Sequence, residues 1–201
     1  DLAKKRDWWD GEIVHLNKIE ELSKDMSDAF PLFDEGDLAL SLRKYNMVLV
    51  IDPESGKVKW HKTGPWLRQH DPEFEPDGTI TIFNNNTYPT RMDRHGHADP
   101  EAPRVTNIMA VEPDTGRVKT YFADGKPEML STIRGKVERY GDRFLVTEFE
   151  AGRVLEVETD GEIVWSYVNK LNDARVGEVT GAWRYPRSYF NVEDWTCATD
   201  G

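Results

Sequence analysis

Three segments of this chain carry nearly the same phrase: Ile-Asp-Pro-Glu-Ser-Gly-Lys-Val-Lys-Trp ending at Trp60, Val-Glu-Pro-Asp-Thr-Gly-Arg-Val-Lys-Thr ending at Thr120, and Val-Glu-Thr-Asp-Gly-Glu-Ile-Val-Trp ending at Trp165. Each reads as an apolar strand, a turn closed by Gly56, Gly116 or Gly161, and a second strand of alternating character, the pattern of a β-hairpin. The three glycines lie 60 and 45 residues apart. One hairpin repeated at about 40–50 residues or a little more is the spacing of propeller blades. The repeat therefore predicts an all-β fold of the β-propeller class.

Reading outward from each hairpin recovers units of four strands. The first unit, 10–62, has strands at 15–22, 37–43, 47–52 and 57–62. The second, 66–122, has strands at 70–75, 79–84, 104–112 and 117–122, with Pro76-Asp77-Gly78 as its first turn and a long loop at 84–103. The third, 129–168, has strands at 132–140, 143–149, 153–158 and 162–168, and 169–201 is read as a C-terminal closing segment. Three four-stranded blades do not close a ring, which takes at least about four. An open stack leaves an apolar blade face and a strand edge exposed. The missing blades are expected from the rest of the chain or from a partner chain.

Two insertions interrupt the pattern. Ser23–Glu35 reads as a short helical or irregular excursion whose Phe30, Leu32 and Phe33 pack on the blade. The loop at 84–103 is rich in Asn, Pro, Gly, Asp and His, and long loops inside compact domains are often functional.

Composition narrows the function. Hydrophobic residues make up 38% of the chain, and no apolar run approaches the roughly 18 residues of a membrane-spanning helix. A net charge of −11 argues against nucleic acid as a partner, because phosphate backbones are bound by positive surfaces. A small anionic ligand held by a local cluster of Arg and His remains compatible. The sequence starts at Asp1 without a signal-peptide pattern, which says nothing about export if it is a fragment or processed form. The lone Cys197 has no internal disulfide partner. Asn85-Asn86-Thr87 matches a glycosylation sequon, relevant only to a eukaryotic secreted protein.

His15 and His70 each open the first strand of a unit. First strands line the central channel of a propeller, so equivalent positions converge on one small space. A single strand histidine is more often a structural hydrogen-bonding residue, but two at one repeat position point toward a site. Arg43, Arg68, Arg91 and Arg104 supply the complementary half, because guanidinium groups bind sulfate, phosphate or carboxylate through paired hydrogen bonds. Taken singly, each arginine reads as a surface ion pair. Trp60 and Trp165, at matching repeat positions, read as blade packing.

The segment Asp10–Leu22 with its His-Leu-Asn-Lys-Ile-Glu core is followed in order by Gly36–Arg43, Gly64–Asp71, Pro76–Asn85, and Gly152–Val157 through Gly161–Trp165. Taken together and in this order, these motifs resemble the arylsulfotransferase-like family. It spans about residues 10–190 and corresponds to the C-terminal half of such a protein. What it implies is a six-bladed propeller, usually periplasmic or otherwise exported, that transfers a sulfuryl group between phenolic compounds without a nucleotide donor. A channel histidine carries the group covalently, while other histidines and an arginine hold the sulfate oxygens. By motif position His15 and His70 match two of the channel histidines, and Arg104, or else Arg91, matches the arginine. The implied ligand is a small aromatic sulfate or another anion, with no metal or other cofactor.

One implied feature is missing. The resemblance places a further histidine, the nucleophile, near the start of the third blade, where this chain reads Met129–Gly135 without one, and no histidine follows His97. Three readings follow: an aryl sulfotransferase or related hydrolase that uses another channel histidine, or His95 and His97 reaching in from their loop; a catalytically inactive binding or scaffold propeller; or a metal or quinone protein using His70, Asp71, His95 and His97. A histidine nucleophile must be neutral, so transfer by an unperturbed one fails as pH falls through about 6.5.

Overall fold

A computed structural model of the chain describes residues 13–86, 105–186 and 188–190. Three four-stranded antiparallel sheets dominate it, each meandering in sequence order. The first holds β1 (Leu16–Glu21), β2 (Leu38–Leu42), β3 (Met47–Ile51) and β4 (Val58–Thr63). The second holds β5 (His70–Phe74), β6 (Ile80–Asn84), β7 (Asn107–Val111) and β8 (Val118–Tyr121). The third holds β9 (Lys136–Tyr140), β10 (Arg143–Glu148), β11 (Arg153–Glu158) and β12 (Ile163–Val168). Successive sheets touch through β1 and β2 against β5 and through β5 and β6 against β9, which puts the edge strands β1, β5 and β9 innermost. This is the propeller architecture the repeat predicts. Gly56, Gly116 and Gly161 take φ of 69°, 71° and 97° in the three repeated turns, a region that only glycine occupies without cost.

Burial alternates along β2 in the first sheet, whereas β6 and β7 of the middle sheet are buried at every position, because a sheet with a neighbour on each side has both faces covered. Between the first two sheets, Ala39, Val48 and Val50 face Phe74, Ile80, Ile82, Met109 and Val111. The insertion after β1 plugs this core. It contains a one-turn helix, α1 (Lys24–Ser27), followed by Phe30 and Phe33, both buried. Phe30 meets Phe74 edge-on at 5.1 Å. Leu32 departs from expectation: it is exposed, while its two aromatic neighbours pack. Between the second and third sheets, Phe83, Ile108 and Tyr121 meet Phe144, Val146, Leu155 and Val157.

Three further differences from the sequence reading have physical causes. The third unit's inner strand begins at Lys136, not at residue 132. Arg134 is left-handed at φ 56° and Gly135 sits at φ 107°, where a Cβ would lie 2.3 Å from the Phe83 ring; the chain there makes a tight approach instead of pairing. Trp60 packs against the first core, but its repeat counterpart Trp165 is half exposed, on an edge strand whose residues are all exposed. The segment after β12 forms a small hairpin, β13 (Lys170–Asn172) with β14 (Arg175–Val176). It then returns to the third sheet, where Arg184 lies 3.5 Å over the Tyr140 ring and Lys136 lies 4.9 Å from the Trp183 ring. No helix among the described residues is long and apolar enough to cross a membrane.

Candidate functional site

One end of the inner strands collects most of the sequence-named residues. His15 precedes β1 and Arg43 follows β2, and their main chains are joined by the Arg43 N–H donating to the His15 carbonyl at 3.1 Å. Arg43 opens a single 3-10 turn closed by Asn46, whose side-chain oxygen accepts the Arg68 N–H at 2.8 Å. Leu67 N–H donates to Asn84 Oδ1, also at 2.8 Å, and the Gln69 carbonyl accepts from Asn17 Nδ2 at 2.9 Å. The buried Trp66 anchors the start of this linker. The stretch 66–70 is thereby laced to both sheets before His70 enters β5.

His15, Arg68, Asp71 and Arg134 all adopt positive φ near 55°. Non-glycine residues reach this region at a cost of order 1–3 kcal/mol each, and such strain gathers at functional sites. Here it falls at the entries to β1 and β9, in the linker before β5, and within β5 beside its irregular register.

His70 is buried. Its Nδ1 lies 2.6 Å from Asn85 Oδ1. Burial pushes the imidazole down to about 4, against the hydrogen bond with Asn85, and the charges of Arg43 and His15 push in the same direction as burial. At neutral pH the ring is therefore uncharged. Arg68 is lowered to about 10, first by burial and then by repulsion from Arg43. Four cationic or potentially cationic groups, His15, Arg43, Arg68 and His70, thus act on one another in a chain of net charge −11. Guanidinium groups have the planar, paired donors that suit sulfate or carboxylate geometry.

Further along β1 and β5 the sign of the charge reverses. Lys18 contacts Glu73 at 2.5 Å, Glu20 at 3.0 Å and Asp71 at 3.4 Å. Those residues, with Lys136, Val137, Glu138, Ala182 and Trp183, line a cavity of about 300 Å³. One ammonium serves three carboxylates, so burial and then repulsion from Asp71 push Glu73 up to about 8. Asp71 itself turns away from His70: its Oδ2 accepts the Val137 N–H at 2.9 Å, tying β5 to β9.

The structure brings together His15, Arg43, Arg68 and His70. Arg91, Arg104, His95, His97 and Cys197 lie outside the described residues, as does Thr87 of the sequon. For the metal reading, His70 and Asp71 diverge, the former toward Asn85 and the latter toward Val137 and Lys18. Among the described residues, three acidic groups that could hold a metal ion occur at Glu158, Asp160 and Glu162, in a turn far along the third sheet.

Asn85 is the residue that sequence reasoning passed over. It is fully buried at the end of β6, and its Nδ2 donates to the carbonyls of Ser131 (2.9 Å) and Arg134 (2.6 Å). The available signal was the pair Asn84-Asn85 closing an apolar strand, since a buried amide is retained only where it is hydrogen-bonded. Asn84 behaves likewise, donating to Asn107 Oδ1 at 2.9 Å.

A crystal structure of a protein of unknown function from Bacteroides caccae matches with 16% identity and a TM-score of 0.44, over 76% of this chain and 45% of that one. Virginiamycin B lyase from Staphylococcus aureus matches with 18% identity and a TM-score of 0.34, over 73% of this chain and 58% of that one. The chain thus spans about half the length of these structures. No curated protein matches it. The sequence profile of the arylsulfotransferase (ASST) family, however, matches residues 2–170, and the chain belongs to that family.

Proposed function

We propose that this chain forms part of an exported propeller that transfers a sulfuryl group between phenolic compounds, with His70 as the nucleophile. The observation that carries the reading is the meeting of a buried, uncharged histidine with Arg43, Arg68 and His15 at the channel mouth. In the first step the His70 lone pair attacks sulfur, an N–S bond forms, and the S–O bond to the aryl group breaks. The phenolate leaves and takes a proton from solvent. A second phenol then gives up its proton to solvent, its oxygen bonds to sulfur and the N–S bond breaks, returning the electron pair to the His70 nitrogen. Arg43, Arg68 and His15 hold the sulfate oxygens and stabilise the charge they carry at transfer. Arg104 or Arg91 joins them in this reading.

A second reading, a propeller that binds an anion without transferring it, is favoured by the absence of histidine from Met129–Gly135. Under either reading further blades complete the ring. The apolar face of the first sheet away from the second, built from register-paired Leu38 with Ile51, Leu40 with Leu49 and Leu42 with Met47, is what they would cover.

The test is release of 4-nitrophenol from 4-nitrophenyl sulfate by the complete native protein, with and without phenol, beside His15→Ala and His70→Ala variants shown to be folded by circular dichroism. Phenol-dependent release abolished by His70→Ala is the expected result. Release that is absent from the folded wild type sinks the transferase and leaves the binding propeller.

A further inference from the structure

The segment that lacks the implied histidine contributes to the site in another way. Its carbonyls, from Ser131 and Arg134, are the groups to which Asn85 donates. Because both of those partners can only accept, the Asn85 nitrogen must face them, and its oxygen must face His70. An oxygen 2.6 Å from Nδ1 can only accept, so it favours the tautomer that carries the neutral ring's proton on that nitrogen. The Asn85 main chain is held as well, by Thr106 Oγ1 donating to its carbonyl at 3.1 Å, and Thr106 in turn accepts the Ser131 N–H at 2.9 Å. Asn85, Thr106 and Ser131 are all fully buried, so the amide has neither water nor room to turn over.

We infer that Asn85 is a positioning residue: clamped by the third sheet's lead-in segment, it holds His70 as the Nδ1–H tautomer and so leaves the lone pair on Nε2 for the incoming sulfur. The inference rests on His70 being the nucleophile. It divides the work between sheets. The second sheet supplies the histidine, and the third sets which of its nitrogens reacts. A histidine whose tautomer is unfixed spends part of its time with the reactive nitrogen protonated and unable to attack. The Arg68 main chain also contacts the ring and favours its protonated form. It competes with Asn85 for the single proton of the neutral ring, which makes the outcome measurable.

The experiment is 15N-histidine NMR on the complete protein at pH 7, with the His70 resonances assigned by their loss in His70→Gln. The expected spectrum shows Nδ1 protonated and Nε2 bare. A spectrum with the proton on Nε2 overturns the inference without any variant having to fold. In Asn85→Ala, checked for folding, the tautomers mix. Turnover of 4-nitrophenyl sulfate with phenol then falls by tenfold or more in kcat with KM little changed, toward the ~10⁴-fold cost of a wrong histidine tautomer seen in serine proteases. Unchanged tautomer and unchanged kcat in the folded variant also overturn it. If the wild type holds the Nδ1–H tautomer but transfers nothing, the lock stands and the transferase reading alone falls.

Discussion

Burying His70 as a neutral ring links folding to pH, and the size of the effect follows from the structure. The unfolded chain titrates this histidine near 6.5 and the folded protein near 4. A folded-state pKa below the unfolded one means that the unfolded chain binds the proton first. Stability from this group is therefore intact above pH 7 and is lost as pH falls through 6.5 toward 4. Integrating one proton between pH 7.5 and 4.5 gives a loss of about 2.5 kcal/mol. Glu73 and Glu75 complicate the raw curve. Burial raises them to about 8 and about 7, so the folded state takes their protons first and gains stability over the same descent. Comparison with His70→Gln removes these contributions, since the variant retains both carboxylates. Urea unfolding of the two proteins at pH 7.5 and 4.5 should show wild type losing about 2.5 kcal/mol relative to the variant. Equal changes in both proteins would mean that His70 titrates normally when folded, and the account of a buried uncharged ring would be wrong.

The same shift moves the acid limb of the pH–rate profile: half-maximal kcat/KM for sulfuryl transfer should lie near pH 4 to 5, and a limb at 6.5 would point to a solvated histidine. Arg43→Ala should cost 10²–10³-fold in kcat/KM, as loss of one preorganised donor to developing charge does, with Arg43→Lys recovering little because an ammonium lacks the paired geometry; steady-state kinetics decide. Gly135→Ala should destabilise by at least about 2 kcal/mol in thermal or urea unfolding, since the new Cβ meets the Phe83 ring and φ is 107°. Lys18→Met should destabilise more at pH 8 than at pH 5.5, because Glu73 and Asp71 accept protons as pH falls and relieve the unpaired charge. A loss independent of pH would refute that assignment.

The strands were legible because their signals are local. The turn glycines, the alternation along β2–β3 and β10–β11, and the Pro76-Asp77-Gly78 turn each depend on neighbours in sequence. His15 and His70 stood out because a repeat assigns equivalent positions to one place. Leu32 and Trp165 were misjudged for the converse reason. Whether an apolar side chain is covered depends on which other sheet lies over it, and nothing in its own strand states this. The start of β9 was placed four residues early because Thr132 and Ile133 resemble a strand. Only the Phe83 ring against Gly135, and the claims of Asn85 on two carbonyls, take those residues out of the ladder.

By itself the sequence determined the repeat, and with it the all-β architecture, the order of strands and the family. Three features were decided only by tertiary structure: the gathering of Arg43, Arg68, His15 and His70, the acidic groups around Lys18, and the Asn85 clamp. Strand patterns are written in nearest-neighbour chemistry. The charge on His70 and the placement of its proton depend on burial and on groups up to 64 residues away in sequence, from Arg134 to His70, which only the packed fold makes adjacent.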